Sequence, residues 1–217
     1  MAVRIVFLPI LLFIPAGTLK WPEAWLFLII CLSWLGATLV WLMKNNPDLL
    51  KERLKMPIQK NQKGWDKVIV LALLMLSMIW LPLPGLDAVR YQWSHLPLAL
   101  KVLGFIGLMP SFLIFFLTMK ENPHLSTVVR IQQDRGHKVI TTGPYKYVRH
   151  PMYSGMIILY LSFPLSLGSF YALILSLAFI FLIILRTYLE DKTLQKELSG
   201  YHEYAKRVRY RLVPGVW

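Results

Sequence analysis

The sequence predicts an all-α, polytopic integral membrane protein, and three observations carry that prediction. Hydrophobic residues make up 56% of the 217 positions, more than an ordinary soluble domain carries. They come in long unbroken blocks, without the alternation of half-buried strands or the heptads of a coiled coil. The basic residues crowd into every second loop between those blocks.

The blocks can be taken in order. Residues 1–19 form a short first span interrupted by Pro9 and Pro15. It is expected to be retained rather than cleaved as a leader, because Arg4 is a meagre basic region and no small-x-small site follows. Residues 24–43, 68–83 and 96–119 are the next three spans, and Pro110, behind Gly104 and Gly107, predicts a kink or close helix packing in the last of them. Residues 151–189 suffice for two spans at roughly 20 residues each. The bend of that C-terminal helical hairpin is expected at residues 166–169, where Pro164 and Gly168 weaken the helix. The total is about six spans.

The net charge of +13 is explained by where it sits. The loop at 44–67 holds Lys44, Lys51, Arg53, Lys55, Lys60, Lys63 and Lys67. The loop at 120–150 and the tail after residue 189 are also basic, while the alternate loops carry almost none. This asymmetry places both termini on the cytoplasmic side. No basic stripe interleaved with aromatics points to nucleic acid. Cys31 is the one cysteine, so an internal disulfide is excluded and no Cys/His metal cluster exists. Trp21, Trp25, Trp41, Trp65, Trp80 and Trp93 fall near span ends, as an aromatic belt requires. Within the 44–67 loop, Leu49, Leu50 and Leu54 share one face of a short helix capped near Asn46, which fits an interfacial helix or a solvated loop.

No linker or repeat divides the chain. Residues 1–119 read as N-terminal transmembrane helices, and residues 120–217 hold most of the groups capable of chemistry. The densest stretch runs from Gly143 to Gly155. Gly143-Pro144 makes a tight turn, and His150-Pro151 starts a helix whose first N–H groups suit an anionic ligand group. Tyr145, Tyr147 and Tyr153 offer faces and hydroxyls suited to a flat heterocycle, and Gly155 allows a ligand or a helix to come close. At the other end of the hairpin, Arg186 and Glu190 lie four apart on one helical face. A bland account remains open for both: His150 as a simple cap with interfacial tyrosines, and Arg186–Glu190 as a helix pair with the arginine reaching the headgroups.

His137-Lys138-Val139-Ile140-Thr141-Thr142-Gly143-Pro144-Tyr145, then Arg149-His150-Pro151-Met152-Tyr153-Ser154-Gly155, resembles the isoprenylcysteine carboxyl methyltransferase family, itself related to phospholipid methyltransferases. Arg186-Thr187-Tyr188-Leu189-Glu190-Asp191, followed by Leu194, Gly200, Tyr201 and Tyr204, is similar to that family's second motif. So is the ending Arg207 to Pro214 to that of its prokaryotic members. The resemblance spans roughly residues 125–214 and implies a membrane-embedded, S-adenosylmethionine-dependent methyltransferase without a Rossmann domain, in a prokaryotic cell membrane. It implies that His137, Lys138, Val139, Ile140, Tyr145, His150, Pro151, Met152 and Tyr153 line the cofactor pocket. Glu190 would contact the cofactor and act with Arg186, which would face a substrate carboxylate. Arg130, Asp191 and Met152 depart from the eukaryotic pattern of glutamine, glutamate and serine.

The implied acceptor is lipid-linked or lipophilic. A prenylcysteine carboxylate is already ionised and needs holding rather than deprotonation, a task for the Arg186 fork. A phosphatidylethanolamine amine would need a base among Glu190, Asp191 and His150. A sterol-reductase-like NADPH enzyme and a non-enzymatic membrane scaffold are the readings of other classes. The acceptor is expected to arrive sideways between helices near Pro110, with the tail after Asp191 as a lid or lying on the membrane surface.

Overall fold

The computed structural model describes residues 2–132 and 135–217, with side chains from residue 7 onward. Eight α-helices follow in order: α1 (Ala2–Ala16), α2 (Pro22–Asn45), α3 (Pro47–Leu54), α4 (Gly64–Trp80), α5 (Leu98–Glu121), α6 (Pro151–Leu167), α7 (Phe170–Glu197) and α8 (Tyr201–Arg207). A π-helical turn, Gly85–Arg90, follows α4, and a 3-10 turn, Gly143–Lys146, precedes α6. Among the described residues there is no strand.

Helices α2, α5, α7 and α4 with its π-helical extension are long and apolar enough to cross a membrane. Phe7–Ala16 and Pro151–Leu167 are apolar but shorter. At 1.5 Å per residue, the 17 residues of α6 reach roughly 25 Å against a hydrocarbon core of about 30 Å. The expected six spans therefore resolve into four of full length and two shorter helices packed among them. Large apolar side chains such as Ile29, Val68, Met75, Ile106 and Phe181 face outward, as lipid requires of a protein integral to the membrane.

Small residues bring α5 and α6 together. A Cβ on Gly104 would sit 2.3 Å from the backbone nitrogen of Ser166, and one on Gly107 equally close to the Ser162 hydroxyl. A Cβ on Gly155 would strike the Phe115 ring at 2.7 Å, and the Gly155 carbonyl accepts a hydrogen bond from Ser111. Gly155 thus admits a helix, not a ligand. Pro110 lies on the exposed side of an unbroken α5. The hairpin turns where expected: Gly168 takes φ +80°, and the Ser169 hydroxyl caps α7 on the Ala172 N–H. Buried Asp87 holds that turn by accepting from Ser169, Ser94 and the Tyr171 N–H.

Two features of the N-terminal half depart from expectation. Trp80 is not a membrane-interface anchor but buried core: its indole donates to Ala172 and Ser176 and packs on Phe163 and Phe179. Trp21 is buried as well, whereas Trp25 and Trp93 are exposed in keeping with a belt. Helix α3 is capped by Asn46 as predicted, yet its buried face carries Leu49 and Glu52, with Leu54 turned outward. Glu52 prevails over Leu54 because Lys55, Ser126 and Arg130 all donate to it.

Candidate active site

One cavity of about 940 Å³ runs through the molecule, near the top of the ~300–1,000 Å³ range of small-molecule sites. It has two chemically distinct arms. The apolar arm lies among α2, α4, α5, α6 and α7, lined by residues such as Trp34, Trp80, Phe112, Leu159, Phe163 and Phe179. The polar arm is built from α3, the segment between α5 and α6, the start of α6 and α8. All eleven residues that the sequence singles out as catalytic or cofactor-binding line this one cavity: His137, Lys138, Val139, Ile140, Tyr145, His150, Pro151, Met152, Tyr153, Arg186 and Glu190. Cys31, the one cysteine, is partly buried and lines it too.

Local chemistry explains how the polar arm is assembled. Gly143 adopts φ +56°, and a Cβ there would run into the Glu121 side chain. The turn delivers Tyr145, whose hydroxyl accepts from Asn122 at 2.8 Å and whose carbonyl accepts from the Tyr204 hydroxyl at 2.7 Å. Val139 and Ile140 pack with Tyr145, Leu198, Tyr201 and Tyr204. Burial pushes the Tyr145, Tyr201 and Tyr204 phenols up, so all three stay neutral donors. The His137 and His124 rings lie 5.0 Å apart. Burial, then the neighbouring His124, Arg135 and Arg130 charges, lower His137 to about 4, so it is neutral at pH 7.

At the junction of the arms sit Arg186, Tyr153 and Glu190. Arg186 and Glu190 do not form the helix pair that their spacing allows. Arg186 is buried and gives its Nε to Asp66 at 2.7 Å, and one terminal nitrogen to Asp66 and the Thr127 carbonyl. Its other terminal nitrogen donates to no acceptor among the described residues. The guanidinium lies 5.5 Å from the Tyr153 ring centre, and the Tyr153 hydroxyl donates to Glu190. Asp66 also accepts from Gln62 and the Val129 N–H, so it is a fully committed anchor.

Asp191, one residue beyond Glu190, does not line the cavity. It accepts from Arg149 twice, at 2.7 and 2.9 Å, and from Tyr201, Gln195 and Arg211. His150 stands 3.3 Å from it and from the Tyr201 hydroxyl. This knot removes Asp191 from the candidate bases. It also anchors the tail: the Arg149 and His150 N–H groups donate to the Tyr210 and Arg211 carbonyls, and Tyr201 and Tyr204 form a cavity wall. The tail is thus pinned over the polar arm, with Lys206, Arg207 and Arg209 exposed on its outer side. Arg130 is held by Glu52.

Residues 100–199 match the family model for phospholipid methyltransferases. The matched stretch runs from α5 to the end of α7 and contains all eleven of those residues. The match supports a membrane methyltransferase. Asp66, Gln62 and Arg53 lie outside it, and sequence reading missed the role of each. Asp66 is one of three acids in the basic 44–67 loop, with Asp48 and Glu52, and nothing in the sequence linked it to an arginine 120 positions away.

Proposed function

We propose that this chain is an S-adenosylmethionine-dependent methyltransferase that O-methylates a carboxylate on an isoprenylcysteine-like or other lipid-linked acceptor. The observation that carries the reading is the two-armed cavity with Arg186, Tyr153 and Glu190 at its junction. A polar arm suits a water-soluble cofactor, and an apolar arm suits a lipid chain. The fit to the cofactor rests on the aromatic faces of Tyr145, Tyr201 and Tyr204 and on two buried polar atoms without partners among the described residues, His124 Nδ1 and Thr127 Oγ1. Bound there, S-adenosylmethionine would supply an electrophilic methyl group on a sulfonium.

The protein's own contribution is positioning. His137 to Ile140, Tyr145 and His150 to Tyr153 hold the cofactor, with Glu190 as its acid. Asp66 locks the Arg186 fork and leaves one terminal nitrogen to grip a carboxylate. That carboxylate, with a reference pKa of about 3.3–3.7, is already the nucleophile and needs no base. The apolar arm excludes water and aligns acceptor with donor, which is where an in-line displacement gains most. In this reading the basic loops and both termini face the cytoplasm of a prokaryotic cell.

One observation favours a second acceptor, a phospholipid amine. Asp66 already balances Arg186, whereas Glu190 has no ion-pair partner among the described residues and could hold and deprotonate an ammonium. Purified protein with methyl-labelled S-adenosylmethionine and a lipid extract separates the two. Label released as methanol by mild alkali establishes a carboxyl ester; label that survives establishes N-methylation.

A further inference from the structure

Arg53 lies on α3, in the basic loop of the N-terminal half, yet it lines the same cavity as Tyr145. It donates no hydrogen bond and joins no ion pair among the described residues, and its Nε is buried without a partner. The acids nearby are committed elsewhere. Glu52 takes Lys55, Ser126 and Arg130, and Asp48 takes Lys51. Glu121 takes the Thr142 hydroxyl, and Glu190, which accepts from Tyr153, makes no ion pair with Arg53 among the described residues.

A desolvated guanidinium without a counter-charge is costly, and its five N–H donors match the fork of a carboxylate or phosphate. It is not alone. His124 Nδ1 and Thr127 Oγ1, also buried and without partners among the described residues, belong to residues of the same cavity. The Tyr145 hydroxyl accepts from Asn122 and so keeps its own proton to donate. An arginine, a tyrosine and a threonine hydroxyl with unused donors in one polar arm form a receptor for anionic oxygens.

We propose that Arg53 is the anion-binding residue of the polar arm, taking a carboxylate or phosphate of a ligand that fills the cavity. The assignment rests on the methyltransferase reading for the ligand's source: the cofactor's own carboxylate or the anionic head of the acceptor. An unsatisfied binding arginine also predicts a trade. Its removal relieves an unpaired charge, so the ligand-free protein holds or gains stability while recognition is lost.

The test compares the purified full chain with Arg53→Met by calorimetric titration and thermal unfolding in detergent. Three probes are used: S-adenosylhomocysteine; 5′-methylthioadenosine, which keeps the nucleoside thioether and lacks the carboxylate; and dodecyl phosphate. The melting temperature of Arg53→Met without ligand is expected to be unchanged or higher. Weakening of S-adenosylhomocysteine by about tenfold or more, with 5′-methylthioadenosine unaffected, establishes a cofactor carboxylate. Unchanged S-adenosylhomocysteine with dodecyl phosphate similarly weakened establishes an acceptor headgroup. If the native chain binds dodecyl phosphate through Arg53 but no S-adenosylhomocysteine, the methyltransferase reading falls and the anion site stands. Affinities unchanged for all probes, equal loss for all three with a lowered melting temperature, or no binding of either anionic probe by the native chain overturns the proposal.

Discussion

Glu190 and Asp191 are neighbours in the chain, but the ~100° step of a helix sends them to different sides of α7. Asp191 is fully buried and accepts from two arginines, a tyrosine and a glutamine. Glu190 lines the cavity and accepts from Tyr153 alone among the described residues. The arginines divide in the same way. Among the described residues, Arg149 spends its guanidinium on Asp191 and the Val208 and Arg209 carbonyls, Arg186 keeps one nitrogen without an acceptor, and Arg53 makes no hydrogen bond or ion pair. A polar group whose hydrogen bonds are all met by the protein builds the scaffold. One left incomplete at a cavity wall awaits a ligand.

The comparison breaks most visibly at the two acids. Asp191→Ala strands the buried Arg149 and takes a partner from the half-buried Arg211, and is expected to cost about 3–5 kcal/mol of stability, read as a lowered thermal midpoint with cofactor binding lost alongside. Glu190→Gln is expected to leave stability within about 1 kcal/mol while methyl transfer falls roughly 100-fold as the cofactor loses its positioning acid. Equal destabilisation by both substitutions would erase the distinction.

Arg186→Lys keeps the charge facing Asp66 and loses the fork. Transfer is expected to drop by about tenfold or more, with S-adenosylhomocysteine affinity within about twofold. A parallel loss of both would move Arg186 from the acceptor to the cofactor. Tyr153→Phe sharpens the picture on a smaller scale. It deletes one hydrogen bond to Glu190, for about 1 kcal/mol or roughly a fivefold slower reaction in a labelled-methyl assay.

The smallest effect is pH-dependent. His137 is held near 4 in the fold against an ordinary 6.5, so between those values the unfolded chain binds the extra proton. Stability is therefore complete above about 6.5 and declines as pH falls towards 4, by less than about 1.4 kcal/mol per unit for a partly exposed ring. Urea titrations at pH 5 and 7.5 should show this slope, and His137→Asn should flatten it.

Much was legible without coordinates because it is local. The turn at Gly143-Pro144, the helix start at Pro151, the Asn46 cap and the hairpin bend at Gly168 each follow from the backbone preferences of a few adjacent residues. Trp80 misled because a tryptophan at a span end serves equally as a headgroup anchor or as core, and only its neighbours decide.

From sequence alone came the class of the molecule and eleven of the residues that line the cavity, because block length, charge asymmetry and ordered motifs run along the chain. The pairings came only with the tertiary structure: Arg186 with Asp66 across 120 positions, Arg149 with Asp191 across 42, and Arg53 brought to the cavity with no counter-charge among the described residues. Which charges neutralise one another is set by helix packing in three dimensions. That choice separates the residues that hold the fold from those left to bind.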